Sequence, residues 1–128
     1  MRRSVLSAVL GAVLFCVGAT AAFGGLKVLG TGEQKRLDPS GFPPDMKESY
    51  ALMEIKCANT SNNCHGVGRA VEAIVTGIAP NSKTPFDKEA AKQYGVKMMR
   101  KPDSGVNKQE AKTLVQLMYY LIDEARKK

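Results

Sequence analysis

The only histidine in the chain, His65, directly follows a cysteine, and this pair constrains the fold more than any other feature. Cys64 precedes the histidine, and a second cysteine, Cys57, lies seven positions earlier. Regular apolar patterning is confined to residues 45–128. A domain of roughly 80 residues often needs a disulfide, a metal or a cofactor to complete its core. We therefore expect the fold to be built around Cys57, Cys64 and His65.

Residues 1–21 have the composition of a secretory signal. Two arginines precede an uncharged run from Ser4 to Leu26, and Ala19 and Ala21 fit the small-residue pattern of a cleavage site after Ala21. The run also has about the 20 residues needed to span a bilayer, so a retained N-terminal membrane anchor stays open for residues 1–21. In both cases the rest of the chain is exported, and we expect it in the periplasm.

Residues 22–44 are predicted to form a Gly/Pro-rich linker, because chain breakers are dense in this segment. The folded domain is then expected to occupy residues 45–128. The chain breakers are Gly24, Gly25, Gly30, Gly32, Pro39, Gly41, Pro43 and Pro44.

Four helical patterns follow in residues 45–128, and no segment shows the sustained two-residue alternation of a strand. The first ends near Cys57, and the second ends at Gly77. The third opens at Thr84-Pro85 and is weakened or ended by Gly95. The last begins after Asn107, with a capping-box acid three residues later. We therefore predict an all-α domain of about four helices. The apolar stripes include Phe86, Ala90 and Tyr94 in the third helix and Ala111, Leu114, Val115, Met118, Leu121, Ile122 and Ala125 in the last.

The charge of the chain excludes one class of function. Lys and Arg number 19 against 12 Asp and Glu, which gives a net charge of +7. The basic residues are dispersed and are not interleaved with stacking aromatics, so nucleic-acid binding has no support. A mildly basic face can instead steer an acidic protein partner.

Three interpretations of Cys57, Cys64 and His65 compete. Exported cysteines usually pair, so a disulfide closing a short polar loop is the first. A zinc site is the second, although the exported part of the chain supplies only three of the usual four ligands. Covalent haem is the third, because two thiols can add to the haem vinyl groups while an adjacent imidazole binds the iron.

The same three residues resemble the haem-attachment motif of the c-type cytochromes, specifically the small class I monohaem type. The order of elements is similar as well: a helix runs into the first cysteine, another helix follows the Cys-His pair, and a Met-bearing loop precedes the C-terminal helix. The start of the last helix, residues 106–115, and the Arg-Ala pair that begins at Arg69 also resemble that family. The resemblance covers most of residues 45–128.

The resemblance implies a class I cytochrome c-like fold around one haem c per chain. Cys57 and Cys64 would form the thioethers, and His65 would be the proximal axial ligand of the iron. The family usually has two residues between the cysteines, whereas this chain has six. Whether both thioethers form is therefore left open by the sequence, and so is a single thioether through Cys64.

A methionine is expected on the other side of the iron. Met98 and Met99 lie between the predicted third and fourth helices, where the family carries its axial methionine. The family pattern of Val-x-x-Met before a basic, Pro-containing turn favours Met99 as the distal ligand, with Met98 as the alternative. A chain in which neither binds would have an open sixth site.

The resemblance implies a periplasmic one-electron carrier whose partners are redox proteins, acidic ones included, with membrane contact only through a retained anchor. Lys97, Arg100 and Lys101 form either a solvated surface or a docking rim for such a partner. No Ser-His-acid or paired-carboxylate constellation is visible, so the protein is not expected to be an enzyme. Two alternatives remain: a haem-based ligand-binding or sensor domain with an open sixth site, and a haem-free helical module stapled by a disulfide.

Overall fold

The computed structural model describes residues 20–57 and 66–128. A small antiparallel sheet opens the described chain, and four helices follow it. The strands are β1 (Thr20–Phe23), β2 (Leu26–Leu29) and β3 (Arg36–Leu37), and the helices are α1 (Pro44–Cys57), α2 (Val67–Thr76), α3 (Lys88–Arg100) and α4 (Lys108–Ala125).

The prediction of an all-α fold is wrong, because the segment 22–44 that was expected to be a linker forms most of a three-stranded sheet. β2 lies in the middle, with Ala21 opposite Val28 on one side and Leu37 opposite Val28 on the other. Alternation of buried and exposed side chains is present only in the four residues of β2. A pattern this short is below what periodicity can distinguish from a turn-rich linker.

The glycines of this segment serve as turn residues between strands. Gly24 has a positive φ of +56° in the connection between β1 and β2, a conformation that glycine adopts without steric cost. The same turn lies against the end of α4, where the Gly25 N–H donates to the Glu124 carbonyl at 2.8 Å. A Cβ on Gly24 would lie 2.4 Å from that carbonyl oxygen. The turn can therefore approach α4 only because it has no side chain.

The four predicted helices are present in the described residues, and three end or begin where the sequence indicates. α1 ends at Cys57, and Pro44 occupies its first turn, where a missing N–H is tolerated. α2 ends at Gly77 in the left-handed conformation. α4 begins after Asn107, whose side chain accepts from the Glu110 N–H in a complete capping box.

α3 departs from the prediction at both ends. It begins after Asp87, which caps it by accepting from the Ala90 N–H, and not at Pro85. It continues through Gly95 to Arg100, so this glycine does not end the helix, which was one of the two alternatives that the sequence left open. Glycine inside a helix costs about 1 kcal/mol relative to alanine. Gly95 is nevertheless buried, and a Cβ there would lie 2.4 Å from Val115 Cγ2 on α4. Close packing therefore explains this glycine.

The core joins the sheet to the helices. Tyr50 of α1 is 1% exposed, and its hydroxyl accepts a hydrogen bond of 2.7 Å from the Leu37 N–H of β3. None of the helices within the described ranges has the length and apolar character needed to cross a bilayer. The largest of the fully buried side chains are Leu26, Leu37, Tyr50, Val71, Ile74, Leu114, Leu117 and Leu121.

Candidate functional site

A cavity of about 220 Å³ lies where α1 ends and α2 begins. Cys57, the last residue of α1, and Gly66, the residue before α2, both line it, and α3 and α4 supply further walls. The cavity reaches the surface, because Gly66 and Lys97 are exposed. Its floor is apolar and comes from three helices: Met53, Ala70, Leu114 and Met118.

The structure describes one of the three residues of the Cys-His motif. Cys57 is half-buried and contributes to the cavity wall. Cys64 and His65 lie outside the described residues. The chain re-enters the described part at Gly66, so the peptide that carries His65 is bonded directly to a residue of the cavity wall.

The two candidate methionines lie in the last turn of α3 and not in a loop. Met98 lines the cavity, whereas Met99 is half-buried and is not among the lining residues. Adjacent residues of a helix point about 100° apart, so one backbone cannot direct both side chains to the same space. Tyr94 and Lys101, four residues before and three after Met98, line the cavity with it.

Tyr94 is a site residue that the sequence interpretation assigned to the core. Its ring packs edge-on against Phe86 with centroids 6.2 Å apart, as a core stripe predicts. However, Tyr94 is 41% exposed and lines the cavity. The spacing of Tyr94, Lys97, Met98 and Lys101 is that of one helical face, and this signal could have identified the cavity wall from the sequence.

The charged side chains that line the cavity all carry positive charge. No Asp or Glu is present among its described lining residues. The cavity therefore favours a ligand that combines an apolar body with anionic groups at its edge. The cations are Lys56, Arg69, Lys97 and Lys101.

Two of these cations also hold the ends of helices in place. Lys56 Nζ donates to the Gly105 carbonyl at 2.7 Å and lies 3.2 Å from the Glu110 carboxylate, which ties the end of α1 to the start of α4. The Asn107 N–H, followed by the Lys56 ammonium, lowers the pKa of the Glu110 carboxyl. Arg69 of α2 lies 3.8 Å from the Glu33 carboxylate. Cys57 therefore follows a residue that is anchored to two other segments.

The described residues suit the cofactor implied by the Cys-His motif. The lining includes Cys57, the thioether of Met98, apolar side chains and four cations. A covalently attached tetrapyrrole with two propionates would use a cysteine for attachment, apolar side chains against its ring and cations near its carboxylates. Within residues 20–57 and 66–128, no three side chains of His, Cys, Asp or Glu converge to hold a metal ion by themselves.

Comparison of the chain with protein-family models, curated proteins and solved structures finds no match.

Proposed function

We propose that the protein is an exported one-electron carrier of the c-type cytochrome kind, with one haem c bound at the cavity between α1 and α2. The observation that carries the proposal is the convergence of Cys57, Met98 and a wholly cationic set of charged side chains on one apolar cavity. The residue that follows His65 also belongs to this cavity wall. The Cys-His motif and the cavity thus share Cys57 and are joined in the chain at Gly66.

Each residue of the set has a separate task. Cys57 and Cys64 would hold the macrocycle through thioethers, and His65 would supply the proximal imidazole. Bound haem iron supplies a site that accepts and releases one electron. Met53, Leu114 and the other floor residues exclude water from the ring, and burial of this kind is one of the factors that set a reduction potential.

Met98 is the methionine that the cavity favours as the distal ligand. Met99 was favoured by the family pattern, which assumes a loop at this point. In a helix the two side chains diverge, and Met98 shares its face with Tyr94 and Lys101, which line the cavity. A thioether on this side stabilises the reduced state and raises the potential relative to an open site.

The cationic edge suits both the propionates and an acidic redox partner. Lys97 and Lys101 are exposed beside the cavity, where they can meet a carboxylate-rich surface. Exposed charges of this kind act mainly on the rate of association, and their effect decreases as salt screens them.

The colour of the exported, purified protein tests the proposal. We expect a visible haem spectrum, and we expect the pigment to stay with the polypeptide through acid–organic extraction. Intact mass then reports one haem per chain. A colourless protein would overturn the proposal and leave the disulfide-stapled module. A coloured protein whose ferrous form binds CO rapidly would favour the sensor with an open sixth site.

A matched pair of variants separates attachment from ligation. His65→Ala should remove the proximal imidazole and change the spectrum while both thiols remain. The double variant Cys57→Ser and Cys64→Ser should release the pigment on extraction while the imidazole remains. If the double variant keeps as much haem on the polypeptide after extraction as wild type does, covalent attachment is refuted.

A further inference from the structure

Gly95 occupies an unusual place for a glycine, in the middle of α3 and fully packed against α4. It is buried, and a Cβ built on it would lie 2.4 Å from Val115 Cγ2. The next nearest neighbours would be the Ala111 carbonyl oxygen at 3.7 Å and Val115 Cβ at 3.9 Å. Among the described residues, one methyl group of Val115 is therefore the only atom too close to a Cβ at position 95.

The contact lies beside the cavity. Met98 follows Gly95 by three residues, almost one turn along the same helix. Leu114, the neighbour of Val115 on α4, lines the cavity together with Met98. The separation of α3 and α4 at Gly95 therefore determines how far the Met98 side chain reaches across the cavity.

We propose that Gly95 is a positioning residue: its missing side chain lets α3 approach α4 closely enough to hold the Met98 thioether at the distal side of the haem. This inference rests on the proposed function. A methyl group at position 95 must displace either Val115 or the helix itself. A β-branched side chain in a helix has one strongly preferred rotamer, so Val115 cannot turn its methyl away freely. The displacement then falls on α3 and withdraws Met98.

The direction of the effect distinguishes packing from helix formation. Alanine favours a helix more than glycine does, so Gly95→Ala should strengthen α3 if nothing stood beside it. Weaker Met98 ligation in that variant would therefore come from the contact with Val115. The double variant Gly95→Ala and Val115→Ala removes the obstructing methyl and leaves an ordinary contact at about the 3.9 Å of Val115 Cβ.

The experiment compares wild type with Gly95→Ala, Val115→Ala, their double variant and Met98→Ala, all as the exported holoprotein. Two readouts report Met ligation: a weak far-red absorption band of the ferric protein, which Met ligation gives, and CO binding to the ferrous protein, which tight Met ligation prevents. The other two are the covalent haem content by mass and helicity by circular dichroism. We expect Gly95→Ala to lose the band and bind CO, as Met98→Ala does, with its haem content unchanged. We expect Val115→Ala and the double variant to keep the band and exclude CO.

Each contrary outcome has a definite meaning. A Gly95→Ala protein with an intact band and no CO binding overturns the inference, and so does a double variant that fails to recover or a Val115→Ala variant that loses the band. A Met98→Ala variant that keeps the band also overturns it, because Met98 is then not the ligand. If Gly95→Ala alone does not fold, the double variant tests the inference: it supports the inference if it folds, keeps the band and excludes CO, and overturns it otherwise. A wild-type protein without haem is the separate failure of the proposed function, and it is seen before any variant is compared.

Discussion

At the scale of single residues, the two cysteines of the motif differ in their place in the chain. Cys57 ends a helix whose preceding residue, Lys56, is anchored to the Gly105 carbonyl and the Glu110 carboxylate. Cys64 is adjacent in the chain to His65. If His65 holds the iron as proposed, the thiol next to it in the chain would be kept beside the ring, whereas six residues separate Cys57 from that pair.

We predict from this that Cys64→Ser loses a larger fraction of covalent haem than Cys57→Ser. The measurement is the ratio of haem to protein after acid–organic extraction, with intact mass to count the attached groups. Both variants keep His65, so ligation is matched between them. Equal losses would show that adjacency to the histidine does not favour attachment, and a larger loss from Cys57→Ser would reverse the assignment.

Tyr50 gives a prediction about pH. Burial raises the pKa of its hydroxyl from 10.0 to about 12. The unfolded chain therefore releases this proton at lower pH than the folded chain does, and between pH 10 and about 12 the folded state binds more protons. The free energy of unfolding must fall as pH rises through that window. The stabilisation is fully present below pH 10.

Tyr50→Phe should remove this contribution to the alkaline loss of stability. It should also cost about 1–3 kcal/mol at neutral pH, because the buried Leu37 N–H loses its acceptor. Urea denaturation at neutral pH and at pH values above 10 measures both effects. Tyr94→Phe, at a tyrosine that is 41% exposed, is the matched control. A Tyr50→Phe variant as stable as wild type at neutral pH would contradict the structural role of this hydrogen bond.

At the scale of elements, the first turn of α2 packs closely against the segment between β2 and β3. A Cβ on Gly68 would lie 2.3 Å from the Glu33 carbonyl oxygen, so backbone meets backbone there. Two ion pairs join the same segments, Lys35 with Glu72 and Arg69 with Glu33. These contacts position the helix that directly follows the Cys-His pair in the chain.

Gly68→Ala should therefore destabilise the protein. Overpacking costs about 1–3 kcal/mol, whereas the gain in helix propensity is only about 1 kcal/mol. Chemical denaturation followed by circular dichroism measures the net effect. Gly41→Ala is the control, because no atom of the described residues lies within 4 Å of a Cβ there. Equal stability of the two variants would show that the segment yields without cost.

The elements that the sequence predicts correctly are those with strong local signals. The capping box of Asn107 and Glu110 fixes the start of α4, and Gly77 fixes the end of α2. α3 was misjudged because a glycine carries the same local signal whether it ends a helix or packs against a neighbour. The role of Gly95 depends on Val115, a residue 20 positions away. Such a tertiary contact is not visible in local propensity.

The same distinction between local signals and tertiary contacts applies to the candidate site. Cys57, Cys64 and His65 are predicted from residue type and spacing, which a sequence displays directly, and they stay a prediction. Met99 was preferred over Met98 because the family pattern places this segment in a loop. The cavity wall formed by one face of α3 depends on that helix continuing past Gly95, and on its packing against α4.

At the scale of the whole molecule, the sheet is part of the core and not an appendage. Leu26, Val28 and Leu37 are 1%, 3% and 1% exposed. The sequence did not reveal this, because each strand has at most four residues and the intervening glycines are typical of both linkers and tight turns. Burial of these side chains depends on helices that come later in the chain, because β3 contacts α2 and β2 contacts α4.

We predict that a protein truncated to residues 38–128 does not fold, whereas one truncated to residues 22–128 does. Burial of one aliphatic side chain contributes about 1.5–3 kcal/mol, so losing Leu26, Val28 and Leu37 removes about 5–9 kcal/mol. That is comparable with the whole stability of a small domain, which is about 5–15 kcal/mol. Of the described residues, in contrast, cutting after Ala21 removes only Thr20 and Ala21 of β1, which are exposed.

Both truncated proteins should be exported behind the same leader and compared by thermal unfolding and by covalent haem content. We expect 22–128 to unfold at a temperature close to that of the full chain and to keep its haem. We expect 38–128 to show no cooperative transition, because it lacks the buried strand side chains and because the Tyr50 hydroxyl loses the hydrogen bond that it accepts from the Leu37 N–H. A fragment 38–128 that unfolds cooperatively near the temperature of the full chain would show that the four helices form a complete core alone, and that the sheet only lies upon it.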